Sequence, residues 1–143
     1  MNKVSDILNR KGSHVYSVEP NTPVIKALQM MADHNIGSVV VMEDGIFRGI
    51  VSERDYSRKI ILKQRSSETT SVSEIMSTAF PPINPNDTVD YCMQELSQKN
   101  LRYLPVFREE KICGIISIND LVKETILSQQ ETISSLQEYL HAT

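Results

Sequence analysis

The stretch Gly-Ile-Val-Ser-Glu-Arg-Asp at residues 49–55 returns as Gly-Ile-Ile-Ser-Ile-Asn-Asp at residues 114–120. Each copy reads as the end of an apolar strand, then a serine and, three residues later, an aspartate that opens a helix. The two copies begin 65 residues apart. Because self-similarity at a fixed period is typical of repeat architectures, the chain is predicted to contain two structural repeats.

The sequence in front of each copy also repeats. Pro20 corresponds to Pro85, and from these prolines to Asp55 and Asp120 the two halves align without an insertion. The hydrophobic pattern of each half predicts the order β-α-β-β-α, and therefore an α+β fold. Since each half is too small to close a core well by itself, we expect the halves to pack as a pseudo-twofold pair.

The periodicity of the first half predicts its elements individually. Thr22 is expected to cap a helix whose first turn begins at Pro23. The predicted elements are, in order, a helix over 4–9, a strand over 15–18, a helix over 24–34, a hairpin of strands 38–42 and 46–51 with a turn at 43–45, and a helix over 53–62.

The apolar pattern stops once between the repeats, over residues 63–71, and this stretch is predicted to be a linker. The predicted segments are therefore a first repeat over 1–62, the linker over 63–71, a second repeat over 72–126 and a helical tail over 127–143.

Composition argues against several classes of protein. The formal net charge of −3 is opposite in sign to that of a general nucleic-acid binder. The first residues lack the apolar run of a signal peptide, and no stretch is long and apolar enough to span a membrane. We therefore expect a cytoplasmic protein that binds neither membrane nor nucleic acid.

Catalytic and metal-binding patterns are also missing from the sequence. Cys92 and Cys113 are isolated, which favours a role as small apolar fillers. The three histidines, His14, His34 and His141, have no partner at a spacing typical of catalysis. The chain is predicted not to be an enzyme and to need no metal.

With these features, the chain resembles a tandem pair of CBS (cystathionine β-synthase) domains, the Bateman module. The resemblance rests on the β-α-β-β-α period and on the pattern Gly, two hydrophobic residues, Ser-x-x-Asp, and it covers nearly all of residues 1–126. Residues 102–106, Arg-Tyr-Leu-Pro-Val, are similar to the family's entry to its middle strand, whereas residues 37–41, Gly-Ser-Val-Val-Val, depart from it. The chain looks like a stand-alone CBS pair.

The Ser-x-x-Asp pattern has a chemical interpretation of its own. Backbone N–H groups that are free at a helix start can bind an anion, and Ser52 can donate its hydroxyl to a phosphate oxygen. Asp55 can accept hydrogen bonds from two ribose hydroxyls, as acidic residues do in dinucleotide folds. The same pattern is also a helix capping box, so the local sequence leaves both interpretations open.

The two copies differ in charge. Arg54 and Arg58 lie one helical turn apart after the first serine, and guanidinium groups suit phosphate oxygens. The second copy, with Ser117, Asn119 and Asp120, is nearly without cations. We therefore expect the first half to hold phosphates more strongly, unless these arginines only form a solvated basic face.

The resemblance implies further ligand contacts in a cleft between the repeats. Arg102 matches a position that reaches toward ligand phosphates in the family. Ser38 and Tyr103 occupy the neighbouring position, and the backbone near Tyr16, Val18 and Ile83 would face the base.

Taken together, the residues and the resemblance predict a regulatory module that senses adenine nucleotides (AMP, ADP or ATP) and passes the state to an unidentified partner protein. One alternative is a sensor that holds NAD(H). The other is a structural dimerisation module without a bound nucleotide.

The tail carries a heptad stripe that predicts assembly. The stripe consists of Val122, Ile126, Ile133, Leu136 and Leu140, with Gln129 at the seam position between. Such a short helix needs packing to be stable. It would either fold back on its own repeat or cross to a second subunit, and we expect a homodimer whose main interface is formed by paired helices of the CBS repeats, as the resemblance implies, with the tail as a supplement.

Overall fold

A computed structural model describes residues 2–142 of the chain and contains helices and strands in the order predicted from the sequence. The elements are α1 Val4–Lys11, β1 Ser17–Val18, α2 Val24–His34, β2 Ser38–Glu43, β3 Ile46–Ser52, α3 Glu53–Tyr56 with a π-helical turn Ser57–Ile61, a 3-10 turn Val72–Glu74, α4 Val89–Lys99, β4 Tyr103–Arg108, β5 Lys111–Ser117 and α5 Ile118–Ala142. The predicted α+β class with two β-α-β-β-α repeats is confirmed. In the second repeat the first strand is reduced to one parallel bridge, from Ile83 to Val106.

The chain forms two compact units that do not follow chain order. Residues 14–80 form one unit, here called the first-repeat unit. Residues 2–13 join residues 81–142 in the other, the second-repeat unit. Helix α1 therefore belongs to the first repeat in sequence but packs with the elements of the second, where Leu8 lies against Gly114.

The first-repeat unit has a three-stranded sheet in the order β1-β2-β3. β1 runs parallel to β2, and β2 and β3 form the predicted antiparallel hairpin. Strand β2 begins with four buried residues, as expected for an apolar run covered on both sides. The core of the first-repeat unit lies between the sheet and α2 and includes residues from the helical turns that follow. It consists of Val24, Ala27, Met31, Val39, Val41, Val51, Ile60, Val72 and Ile75.

The second-repeat unit encloses a separate core between the β4-β5 hairpin and helices α1, α4 and α5. This core contains Leu104, Val106, Ile116 and Leu121, all fully buried. Cys92 lies in it with no exposed surface, and burial raises the pKa of its thiol to about 12. Because a thiol that stays protonated is a poor nucleophile, Cys92 has the properties of an apolar filler.

The repeat extends to the irregular positions of the backbone. Asn35 and Asn100 both end their helices in the left-handed conformation. The hairpin ladders shift register between Val41 and Met42 and, equivalently, between Val106 and Phe107. The backbone thus preserves the period of 65 residues even where it departs from regular structure.

Hydrogen bonds and an ion pair hold the segment predicted as a linker. Residues 66–71 pack against the start of α2, where the carbonyl groups of Ser67 and Thr70 accept hydrogen bonds from Ile25 and Val24. Arg65 forms an ion pair with Glu74 at 2.7 Å. The linker is ordered because α2 lacks a side-chain cap and its first N–H groups need acceptors.

The structure contradicts two of the helix predictions. Thr22 does not cap α2: the N-cap position is Pro23, which makes no side-chain cap hydrogen bond. The predicted helix over residues 53–62 is α-helical only to Tyr56 and then widens into the π-helical turn. The predicted tail is the second half of α5, a single helix of 25 residues.

Candidate functional site

Ser52 ends β3 and caps α3, so the first copy of the pattern forms a buried strand-to-helix junction. The backbone N–H and the hydroxyl of Ser52 donate to Oδ2 of Asp55 at 2.9 and 3.0 Å. The backbone N–H of Asp55 donates to the Ser52 hydroxyl at 3.2 Å. This is the capping box that the local sequence allowed.

The other oxygen of Asp55 is also occupied. Its Oδ1 forms an ion pair with Nζ of Lys59 at 2.9 Å and accepts a hydrogen bond from the Ser77 hydroxyl at 3.4 Å. A carboxylate has about four acceptor positions, and Asp55 therefore has none left for an incoming hydroxyl. Lys59 also donates to the carbonyl oxygen of Ile75 at 2.7 Å, which connects the junction to the segment after the linker.

The second junction repeats the capping box but leaves one oxygen open. The backbone N–H of Ser117 donates to Oδ2 of Asp120 at 2.8 Å, and the backbone N–H of Asp120 donates to the Ser117 hydroxyl at 3.1 Å. Nζ of Lys11 lies 2.7 Å from the same Oδ2. Within residues 2–142, the side-chain contacts of Asp120 all go to Oδ2, and a fifth of its side chain is exposed. Among the same residues, no buried side-chain oxygen lacks a hydrogen-bond partner, so Oδ1 is exposed to solvent and can accept a hydroxyl.

Lys11 corrects the expectation that the second copy is nearly without cations. The lysine lies at the end of α1, 109 residues before Asp120 in the sequence, and it also donates to the carbonyl oxygen of Ile115 at 2.9 Å. Asp55 and Asp120 thus each form an ion pair with one lysine, and that lysine also donates to a backbone carbonyl oxygen.

The register of the strands places several of the predicted residues of the first-repeat unit at the same end of the sheet. Ser38, at the start of β2, faces Ser52 at the end of β3, and both are buried. Tyr16 immediately precedes β1, and its carbonyl accepts a hydrogen bond from Val40. Val18 lies farther along, opposite Val41.

The second-repeat unit has the matching arrangement. Tyr103 faces Ser117 across the β4-β5 hairpin, and the carbonyl of Arg102 accepts from the N–H of Ile118 at the start of α5. Ile83 is buried and bridges Val106. Ser38 and Tyr103 therefore lie at the two junctions, whereas Val18 and Ile83 lie three residues farther along their strand pairs.

The predicted phosphate-binding residues differ in exposure. Arg58 and Arg102 have exposed side chains, as does Asn119, whereas Arg54 is half-buried. Exposed guanidinium groups can reach a bound anion without first being released from the core.

Sequence reasoning missed three side chains that contact the aspartates: Lys59, Lys11 and Ser77. Lys59 follows Asp55 by four residues, a spacing that signals a helical ion pair. Nothing local points to Lys11 or Ser77, since both reach the junctions from elsewhere in the fold. His34 was also missed as a neighbour of Tyr16, on which its ring stacks with the centroids 4.0 Å apart.

Among residues 2–142, no three His, Cys, Asp or Glu side chains form a set that could hold a metal ion. Over the same residues, none of the helices combines the length and apolar character that crossing a membrane requires.

Known proteins are similar to this chain in architecture and in sequence. The family model of the CBS domain matches residues 4–62 and 72–126. The CBS domain-containing protein YhcV of Bacillus subtilis (strain 168) is 30% identical over 138 residues, which cover 96% of this chain and 97% of that protein. The mitochondrial CBS domain-containing protein CBSX3 of Arabidopsis thaliana is 32% identical, over 96% of this chain and 71% of that protein.

A solved structure agrees as well. A protein with CBS domains from Burkholderia ambifaria MC40-6 superposes with a TM-score of 0.86 at 40% identity, over 90% of this chain and 96% of that one. The two segments that the family model matches, residues 4–62 and 72–126, each contain one of the two junctions described above. The chain therefore belongs to the CBS-domain family.

Proposed function

We propose that this chain is a regulatory module, not an enzyme, that binds an adenine nucleotide (AMP, ADP or ATP) at its Ser-x-x-Asp junctions and passes its ligand state to a partner protein. The observation that carries the proposal is Asp120, a carboxylate in the first turn of α5 with one oxygen open. A carboxylate in this position suits a pair of ribose hydroxyls. The exposed guanidinium group of Arg102, in the same unit, suits the phosphates.

Family membership supports an adenosine ligand only in general terms. One solved CBS domain pair, 21% identical to this chain, was crystallised with 5′-methylthioadenosine and S-adenosyl-L-methionine. Those are ligands of that protein, and at this identity the likeness extends to the fold alone. They nevertheless belong in the set of compounds to be tested here.

A second candidate function is a structural module whose junctions hold no ligand. The capping boxes favour it, because Ser52 and Ser117 both have a purely local role as helix caps. An NAD(H) sensor is a further variant of the ligand-binding proposal, since an adenosine site can accept a dinucleotide.

Two measurements separate these functions. Mass spectrometry of small molecules released from the denatured, purified protein identifies any ligand that copurifies. Isothermal titration calorimetry with AMP, ATP, NADH and S-adenosyl-L-methionine measures affinity. We expect at least one adenosine compound to bind at submillimolar concentration, whereas no binding at millimolar concentration would leave the structural function.

The contacts of the two aspartates predict that the junctions fill unequally. Asp120 accepts a ligand directly, whereas Asp55 must first release Lys59 or Ser77. We therefore expect Lys59→Met, which keeps the length of the side chain and removes the ammonium group, to increase binding at the first junction about tenfold. In calorimetry, a second equivalent of ligand should become measurable.

The control for this variant is Lys26→Met, which removes the same charge from an exposed position on α2 of the same unit. It should leave the stoichiometry at the wild-type value. If the wild-type protein already binds two equivalents with equal affinity, Lys59 does not obstruct the first junction, although nucleotide binding itself would be established.

A further inference from the structure

The second half of α5 is an exposed helix with one narrow apolar stripe. Residues 129–141 are all exposed, and among residues 2–142 they pack against no core. The stripe residues Ile126, Ile133 and Leu136 have exposed fractions of 48, 55 and 58%. Most of the stability of a protein helix comes from packing of its apolar face, so the exposed stripe in this half of α5 indicates a packing partner. Its exposure argues against the fold-back alternative.

We propose that the partner is the same segment of a second copy of the chain, in a parallel two-stranded coiled coil. From Val122 to Leu140 the stripe advances in alternating steps of four and three residues, and it is about 27 Å long. A stripe confined to these positions is a coiled-coil seam, whereas a helix that covers a globular core has a wider apolar face.

Charge supports pairing with an identical helix. The positions that flank the seam beyond Lys123 are uncharged; they are Thr125, Gln130, Thr132, Gln137 and Tyr139. Two copies of the helix can therefore pair without repulsion between like charges at these positions. The same positions offer no charged side chains to form salt bridges with an acidic or basic partner. A lipid surface is disfavoured because interfacial helices carry cations on their polar face, and residues 124–143 contain neither Lys nor Arg.

Gln129 decides the orientation. In a parallel, in-register pair the two Gln129 side chains face each other and their amides can hydrogen-bond across the seam. In an antiparallel pair centred on the stripe, Gln129 faces Ile133, and its amide is buried without a partner. Ile126 and Ile133 occupy the first core position of the heptad, where β-branched residues favour two parallel strands, and Leu136 occupies the second.

The near half of α5 is held in place by ion pairs. Arg10 contacts Glu124 at 3.2 Å and Glu131 at 3.4 Å, so α1 supports the helix from the side away from the seam. The seam is therefore presented from a fixed base, which reduces the entropy lost on pairing.

The test measures the mass of the full chain by sedimentation equilibrium at micromolar concentration. We expect a dimer whose dissociation constant rises at least tenfold in Ile133→Asp, while the matched variant Ser134→Asp, with the same new charge on the outer face, stays dimeric. Circular dichroism of both variants confirms that the units remain folded. A monomeric wild-type chain, or a dimer whose dissociation constant is the same in Ile133→Asp as in Ser134→Asp, overturns the proposal.

Orientation has its own test. Under mild oxidation Gln129→Cys should form an intermolecular disulfide, whereas Ser134→Cys and the wild type, with its native Cys92 and Cys113, should not. A dimer that depends on Ile133 but gives no disulfide through residue 129 overturns the parallel arrangement. If the wild type is monomeric and sediments with phosphatidylcholine vesicles through Ile133, the stripe is a membrane contact instead.

Discussion

Replacing Asp120 by alanine is expected to weaken the binding of AMP and ATP by about 1.5–3 kcal/mol, the scale of hydrogen bonds to a charged group. Such a change lowers affinity between roughly tenfold and 150-fold. The loss should be the same for adenosine, because the carboxylate is expected to contact the ribose and not the phosphates. Isothermal titration calorimetry of the variant and the wild type measures both values.

Asp87→Ala is the matched control. Asp87 also accepts a hydrogen bond from a backbone N–H three residues earlier, that of Asn84 at 2.8 Å, but it lies in the turn before α4 and is not part of either junction. Both variants should lose about 1 kcal/mol of stability because each loses a hydrogen bond from a backbone N–H, and only Asp120→Ala should lose affinity. If the two variants bind nucleotide equally well, Asp120 is a helix cap only.

Gly49→Ala is expected to destabilise the first-repeat unit by about 2–3 kcal/mol through overpacking. A Cβ atom at Gly49 would lie 2.7 Å from the backbone oxygen of Ser77. The same oxygen accepts the hydrogen bond of Ile50, and Ser77 donates back to Ile50, so the segment after the linker would be displaced from β3. Urea denaturation measures the loss, and faster hydrogen exchange of the Ile50 amide should localise it.

Gly114→Ala is the equivalent change in the other repeat and provides the comparison. There a Cβ atom would lie 2.7 Å from Cδ2 of Leu8, the end of a side chain that can move. The expected cost is therefore smaller, about 1 kcal/mol. Equal losses in the two variants would show that the backbone at Ser77 yields as easily as the Leu8 side chain.

The repeat architecture could be predicted because its signals are local and occur twice. Apolar spacing located α2, which the structure confirms over Val24–His34, and the hairpin formed by β2 and β3. The extent of regular structure was less predictable. The helix after Ser52 changes to a π-helical turn, and the first strand of the second repeat shrinks to a single bridge at Ile83.

The residues of the candidate site could be predicted from the sequence, but whether their carboxylate oxygens are free to bind a ligand could not. The spacing of Ser52 and Asp55, and of Ser117 and Asp120, predicts that each pair meets at a helix start, and in the structure each pair does. Whether a carboxylate still has a free oxygen depends on every group that packs around it. That difference between Asp55 and Asp120 cannot be read from two nearly identical motifs.

The number of repeats, the order of their elements and the positions of the two junctions follow from the sequence alone, because hydrophobic periodicity and helix capping are local. Which other side chains contact the junctions depends on the folded chain, because those side chains come from distant parts of the sequence. Helix α1 packs in the second-repeat unit and brings Lys11 to Asp120 across 109 residues of sequence. Ser77 reaches Asp55 because its backbone pairs with Ile50 beside a glycine that leaves room for it.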